Sequence, residues 1–329
     1  MAMSAGLTWN WSRFALGLVF ALPGILVAPF APTAGIALAV GVLPAAAYGL
    51  PARRRKRALL PVVGALSAAG FLLGSLLTHI PAVAVAAMLI LSLLTSLSTA
   101  RWAVGRLLLA LVLPMVGVGL SFADTGTALV LAGFVVIGSA YAWLVSLLWP
   151  ERADPLSVAT KTVNGSDLIG YGILLGLASA SAAAIGYVFD LPQVGWATAT
   201  VLFIMRPARD LVIRRSIGRA ASVFVGALAA IAFAMLEPGG LLIGLLIAAA
   251  IGAISAMQES RWYIAPAFTM LVVLTLVLAT SSPASLGRQF LAQAVETLIG
   301  VGLALTFGAA IPSLYAYLRV ELARSRNRG

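Results

Sequence analysis

The 329-residue sequence contains no cysteine and only one histidine. Thiol chemistry is therefore excluded, and a zinc or iron centre with cysteine and histidine ligands is not expected. Charged residues are also scarce, at 9% of the chain. So few polar side chains cannot cover the water-facing surface of a soluble domain of this length. We therefore expect neither an enzyme nor a protein that binds a metal or an organic cofactor.

What the chain has in abundance is apolar sequence, since 62% of its residues are hydrophobic. At roughly 20 residues for each spanning helix, about twelve such helices would occupy most of the chain. We therefore expect an all-α polytopic membrane protein with about twelve transmembrane helices. The hydropathy pattern predicts them at residues 14–30, 33–50, 58–77, 81–99, 106–122, 128–149, 168–189, 191–205, 219–236, 240–257, 264–280 and 288–311.

The two halves of the chain resemble each other. The pair Arg57-Ala58 with Val63-Gly64-Ala65-Leu66 recurs as Arg219-Ala220 with Val225-Gly226-Ala227-Leu228, at an offset of 162 residues from position 57 to position 219. An even number of helices in each unit gives both units one orientation. We therefore predict two parallel six-helix repeats. Their boundaries are predicted as follows: residues 1–150 form the first repeat, 151–167 a cytoplasmic linker, 168–318 the second repeat, and 319–329 a basic cytoplasmic tail.

The distribution of basic residues predicts the orientation. With the amino terminus in the cytoplasm, twenty of the 21 lysines and arginines lie in cytoplasmic loops and tails, and Arg288 is the exception. Asp124, Asp190 and Glu237 then fall on the other side. Because basic residues accumulate on the cytoplasmic side of membrane proteins, we expect both termini there. A multi-pass protein of a bacterial-type inner membrane fits this pattern.

The net charge of +11 follows from the same topology, so no nucleic-acid partner is expected. The basic residues cluster at positions 53–57 and 206–219. We expect both clusters to contact anionic lipid headgroups, and as an alternative to form a vestibule that concentrates organic anions. The sequence leaves open whether the chain forms a homo-oligomer.

Glu296 lies inside the last predicted helix. A charged residue near the bilayer centre costs about 2.5 to 3.5 kcal/mol on insertion scales, so it is a candidate functional residue. Gln289, Gln293, Glu296 and Gly300 are spaced four, three and four residues apart and share one stripe of the helix. In one interpretation Glu296, with Gln293 and Gln289, binds and releases a proton during transport. In the other it is a buried carboxylate that holds neighbouring helices together.

Short or interrupted helices at matching positions of two repeats indicate a transporter's binding site, and the second and eighth predicted helices meet this description. On the eighth, Gln193, Trp196 and Thr200 share a face. An indole beside an amide and a hydroxyl suits an aromatic carboxylate. Arg206 and Arg209 follow at the end of the helix, as further substrate ligands or as charges that only set topology. Trp196 has a second interpretation, an anchor at the membrane interface.

These residues carry a family resemblance. Trp196, Thr198 and Thr200, then Arg215, Arg219 and Gly226, and finally Arg288, Glu296 and Gly300 stand in the order typical of one family. The second half thereby resembles the fusaric-acid-resistance-like superfamily of integral membrane transporters, which includes bacterial aromatic acid exporters and is related to plant anion channels. The resemblance implies proton-coupled efflux of small organic acids, aromatic carboxylic acids in particular. The alternatives are a passive anion channel and a non-transporting membrane subunit of another complex.

Overall fold

The computed structural model describes residues 8–51, 53–101, 105, 108–151, 165–205, 212–258, 264–279 and 286–314. Over these residues the chain forms twelve helices of seven or more residues and no strand. They are α1 (Trp11–Val27), α2 (Pro32–Tyr48), α3 (Leu59–Leu77), α4 (Pro81–Arg101), α5 (Leu113–Gly119), α6 (Thr125–Leu148), α7 (Gly165–Val188), α8 (Val194–Ile204), α9 (Val212–Met235), α10 (Gly240–Ala256), α11 (Ala265–Ala279) and α12 (Leu286–Leu305). The predicted all-α class is confirmed.

Five helical stretches are long and apolar enough to cross a membrane. They are Arg54–Leu77, Pro81–Thr99, Thr125–Leu148, Leu168–Val188 and Val295–Leu314. The remaining apolar helical stretches of the described part, such as Ala221–Met235 within α9, are shorter, at 10–17 residues. Large apolar side chains such as Leu76, Leu94 and Leu144 are exposed on the outside of the bundle. An apolar exterior of this kind suits lipid and not water, so the chain is a multi-pass membrane protein.

The helix boundaries differ from the predicted ones where charge or irregular geometry intervenes. Helix α9 begins at Val212, seven residues before its predicted start at position 219, because the arginine-bearing first turns are helical but not apolar. A π-helical turn, Leu108–Val112, precedes α5, and another, Thr306–Ala310, follows α12. A hydropathy profile detects only the apolar part of a helix, so it predicts neither the charged first turns of α9 nor the π-helical turns.

Two short helices lie at the centre of the bundle. Every residue from 34 to 46 in α2 and from 195 to 205 in and just after α8 is buried. Helix α2 packs against α1, α6, α10 and α11, and α8 packs against α5, α7 and α12. At the periphery, α1 packs along α10 and α4 along α7. The polar side chains of α2 and α8 therefore face protein and not lipid.

Candidate functional site

The start of α8 is brought into the bundle by a tight reversal after α7. Asp190 adopts a positive φ of 47°, and the Leu191 N–H donates to the Gly186 carbonyl across 2.9 Å. The chain thereby folds back on the end of α7 and enters α8 directly after Gln193, the N-cap residue. The free N–H groups at the start of α8 consequently face other helices and not water.

Glu296 of α12 contacts this helix start. Its side chain is fully buried, and its Oε1 accepts the N–H of Gln193 across 3.1 Å. The amino-terminal end of a helix carries partial positive charge, which favours a carboxylate at this place. The second oxygen, Oε2, has no hydrogen-bond partner in the part of the chain that the structure describes. One carboxylate oxygen is thus held by the backbone, and the other can take a proton or a ligand.

Trp196 lies one turn further along α8 on the same interface. Its side chain is also fully buried, and its Nε1–H donates to Thr297 Oγ1 across 3.0 Å. A tryptophan enclosed in this way does not face the headgroup region, so the interfacial-anchor interpretation does not hold. Gly300 allows the close approach of the helices, because a Cβ there would lie 2.7 Å from the Ala197 carbonyl oxygen.

Two further oxygens of the same interface are buried without a partner in the described part, Gln193 Oε1 and Thr200 Oγ1. A buried polar atom left unpaired costs about 1 to 3 kcal/mol. Three such atoms on one helix pair, with Glu296 Oε2 as the third, form a local concentration of unsatisfied polar oxygens. We call Gln193, Trp196, Thr200, Glu296 and Thr297 the α8–α12 polar cluster.

The structure brings together two sets of residues that the sequence treated separately. Gln193, Trp196 and Thr200 were predicted to bind substrate and Glu296 to carry a proton, and all four lie between α8 and α12. Arg206 and Arg209 lie outside the described residues. Gln289 and Gln293 belong to α12, but the structure does not describe their side chains. The roles proposed for these four residues stay predictions.

Sequence reasoning missed Thr297 and Tyr171. Thr297 lies next to the predicted stripe of α12 and not on it, so the spacing gave no signal. Tyr171 of α7 donates its hydroxyl to the Met205 carbonyl across 3.2 Å and ties α7 to the far end of α8. Only the three-dimensional packing of α7 on α8 shows this contact.

The fold and the cluster define a class of protein: a helical multi-pass membrane protein with a polar site around a short, fully buried helix. Residues 180–307 match the family model described as fusaric acid resistance protein-like, which confirms the predicted resemblance over that range. The matched range runs from α7 to the π-helical turn after α12 and contains the whole α8–α12 polar cluster. No curated protein and no solved structure gives a significant match to the chain. The family match indicates a membrane transporter.

Proposed function

We propose that the chain is a secondary active transporter that exports small organic anions, aromatic carboxylates foremost, coupled to protons. The observation that carries the proton coupling is the half-satisfied carboxyl group of Glu296, fully buried against the start of α8. The substrate class rests on the family match over residues 180–307. Gln193 and Thr200 are proposed as polar contacts on the pathway beside this carboxyl group, and Trp196 as the buried residue that packs α8 on α12.

The proposed coupling acts through the contact between Glu296 and Gln193. As a carboxylate, Glu296 is attracted to the positive end of α8 and accepts the Gln193 N–H. A proton on Oε2 removes that charge and weakens the attraction. Helix α8 also packs on α5 and α7, so loosening its start from α12 allows α8 to move together with α5 and α7 relative to α12. Proton binding is thereby linked to the position of a central helix.

The proposed architecture is two parallel six-helix repeats with all twelve helices spanning the membrane. In support, α4 of the first proposed repeat packs along α7 of the second, and α10 of the second packs along α1 of the first. The two contacts are equivalent, because α10 is the counterpart of α4 and α1 is the counterpart of α7. Gly138 of α6 lies against the Leu38 carbonyl oxygen of α2, and Gly300 of α12 lies against the Ala197 carbonyl oxygen of α8. The two glycines stand at the offset of 162 residues that relates the sequence repeats.

The proposed location is a bacterial-type inner membrane with both termini in the cytoplasm, as the distribution of basic residues predicts. Arg53, Arg54, Arg55 and Lys56 are exposed at the end of the molecule where α3 begins. We propose that these residues contact anionic lipid headgroups, together with the basic segment 206–219.

The test is uptake of labelled benzoate, and of butyrate as an aliphatic carboxylate, into inside-out proteoliposomes with and without an imposed proton gradient. Accumulation that requires proton flow is the expected result. Downhill flux at the same rate with and without the proton gradient would indicate the passive channel instead. No flux of either anion would indicate the non-transporting subunit.

A further inference from the structure

A small cavity lies in the middle of the bundle, apart from the α8–α12 polar cluster. Its volume is about 20 Å³, and its wall includes Val40, Pro44, Ser67, Met115 and Phe203. One water molecule requires roughly 10 to 15 Å³, whereas sites for small organic molecules measure roughly 300–1,000 Å³. The cavity therefore has room for one water and for no larger ligand.

Ser67 of α3 brings an unpaired hydroxyl to this wall. Its side chain is only 5% exposed, and its Oγ has no hydrogen-bond partner in the part of the chain that the structure describes. A hydroxyl inside a helix often donates to the carbonyl four residues earlier, as Thr95 and Thr275 do across 2.6 Å. Ser67 makes no bond of this kind to a described residue. A buried hydroxyl without a partner is costly, so a ligand that bonds to Ser67 would stabilise the fold.

Pro44 of α2 frees a second polar atom at the same cavity. Proline has no N–H, so the Val40 carbonyl, four residues earlier, lacks the donor that an unbroken helix would supply. The proline ring lies beside that carbonyl, and Val40 and Pro44 both line the cavity. In membrane helices, carbonyls freed by proline are bonded by hydroxyl groups or by ordered waters. Ser67 does not bond to Val40 directly, since its Oγ has no partner among the described residues.

The rest of the described wall is mostly apolar. Met115, Val135 and Phe203 line it, and Thr269, its other hydroxyl, has a partner of its own. An apolar ligand would leave the Ser67 hydroxyl and the Val40 carbonyl unpaired. A charged ligand would be costly here, because the described wall carries no charged side chain to balance it. Water is neutral and small, and it both donates and accepts hydrogen bonds.

The cavity lies where the two proposed repeats meet. Helices α2 and α8 are counterparts in the proposed architecture, as are α5 and α11, and residues of all four helices line the cavity. A point that contacts both members of two counterpart pairs lies near the axis that relates the repeats. The central helices of both halves therefore pack around whatever the cavity holds.

We propose that the central cavity binds one ordered water, which donates a hydrogen bond to the Val40 carbonyl and bonds to the Ser67 hydroxyl. A buried water needs at least about two polar partners, and these two groups supply them. The water links α2 to α3 and replaces the helical hydrogen bond that Pro44 removes. This site goes beyond the proposed function and does not depend on it.

The first experiment is X-ray radiolytic labelling of the full chain in nanodiscs. Radiolysis converts bound water into hydroxyl radicals, which oxidise the side chains nearest to the water. Met115 lines the cavity, whereas Met88 of α4 is also buried but does not line it, so Met88 is the internal control. We expect Met115 to be oxidised severalfold faster than Met88. Equal oxidation of the two methionines would show that the cavity is dry and would overturn the proposal.

Two substitutions each remove one partner of the water. Ser67→Ala deletes the hydroxyl, and Pro44→Ala supplies an N–H that can bond to the Val40 carbonyl. Each should lower the oxidation of Met115 to the level of Met88. Ser75→Ala is the matched control on α3, because Ser75 is buried but donates to the Phe122 carbonyl, and it should leave the oxidation of Met115 unchanged. Unchanged oxidation of Met115 in either Ser67→Ala or Pro44→Ala would overturn the proposal.

The second experiment is a double-mutant cycle on the midpoint of thermal unfolding in detergent. If one water joins the two groups, the shift in the variant with both Ser67→Ala and Pro44→Ala should differ from the sum of the two single shifts. Ser75→Ala combined with Pro44→Ala should give the sum of its single shifts. Additive shifts for Ser67→Ala and Pro44→Ala would mean that the two groups share no partner, which would overturn the proposal.

The water site and the proposed function fail separately. Oxidation of Met115 that depends on Ser67, in a chain without proton-driven flux, supports this site and contradicts the proposed function. Proton-driven flux in a chain whose Met115 is oxidised no faster than Met88 supports the proposed function and overturns this site.

Discussion

At the scale of single residues, the α8–α12 polar cluster divides into groups with satisfied and unsatisfied hydrogen bonds. Trp196 has its one donor paired with Thr297 and is enclosed on all sides. Glu296 has one oxygen paired with Gln193 and one unpaired in the described part of the chain. A satisfied, enclosed side chain contributes mainly packing, whereas an unpaired carboxylate oxygen can bind a proton. Substitution of Trp196 should therefore reduce mainly the stability of the protein, whereas substitution of Glu296 should affect mainly proton coupling.

Glu296→Gln should leave the protein folded but abolish proton-driven accumulation of benzoate. The glutamine amide oxygen can still accept the Gln193 N–H, yet the amide cannot bind and release a proton at neutral pH. Proteoliposome uptake with an imposed proton gradient is the measurement. Glu237→Gln is the matched control, because Glu237 is an exposed carboxylate after α9 and should tolerate the change. Coupled accumulation that survives Glu296→Gln would remove Glu296 from the mechanism.

Trp196→Ala should lower stability strongly, since replacing a buried tryptophan by alanine costs about 3 to 5 kcal/mol. Thermal unfolding in detergent measures this loss. Among the molecules that stay folded, transport of aromatic and aliphatic carboxylates should decline equally, because the indole is enclosed by protein. A selective loss of aromatic substrates would show instead that Trp196 contacts the ring, as its position in the sequence predicted.

At the scale of elements, the sequence predicts helices better than it predicts their partners. The shortness of α8 was predicted because Arg206 follows its apolar run directly. The contact of Gln193 with Glu296 was not, since it joins residues 103 positions apart and depends on the reversal at Asp190. Arg57 was expected to contact lipid headgroups with its basic neighbours, but it is buried. Its carbonyl partners, Trp149 and Pro150, lie at the end of α6, and a run of basic residues in the sequence does not indicate which member will find such partners.

The packing of α12 on α8 depends on a glycine at position 300. A Cβ there would lie 2.6 Å from Thr200 Cβ and 2.7 Å from the Ala197 carbonyl oxygen, both on α8. Gly300→Ala should therefore push the helices apart and destabilise the protein by about 1 to 3 kcal/mol. Gly302→Ala is the matched control on the same helix, because nothing lies within 4 Å of its Cβ. The midpoint of thermal unfolding should fall for the first variant only, and an equal midpoint for both would contradict the close approach of α12 to α8.

Asp124 caps α6 and gives that helix a predicted pH dependence. Its carboxylate accepts the Thr127 hydroxyl and the N–H groups of Thr127 and Gly126, and these bonds lower the pKa of Asp124 below 3.8. A lowered pKa means that the stabilisation is fully present above pH 3.8 and is lost as the pH falls through the lowered value. Asp124→Ala should therefore increase amide hydrogen exchange at Gly126 at neutral pH. The difference from the unmodified chain should shrink in acid, and a pH-independent difference would contradict the cap.

At the scale of the whole molecule, two cavities among the described residues bear on the proposed transport. The larger, of about 450 Å³, opens at one end, and a second of about 20 Å³ lies among the central helices between Val40, Met115 and Phe203. A volume of about 10 to 15 Å³ is what one water molecule requires, so the inner cavity cannot pass an organic acid. The proposed export therefore requires the central helices to separate, and in the proposed coupling α8, whose start contacts Glu296, is the helix whose position a proton changes.

The orientation of the molecule is open to a direct test, because the natural chain has no cysteine and every introduced cysteine reports alone. His79→Cys and Glu237→Cys should react with a membrane-impermeant maleimide in intact cells, since the proposed topology places both residues outside. Arg55→Cys should react only after the membrane is opened, because it is exposed at the end of the bundle that carries the basic turn Arg54–Arg57. His79 and Glu237 lie in different proposed repeats, so labelling both from outside supports two repeats of equal orientation. Labelling of only one of them from outside would mean that the halves are inverted relative to each other, and the parallel architecture would have to be given up.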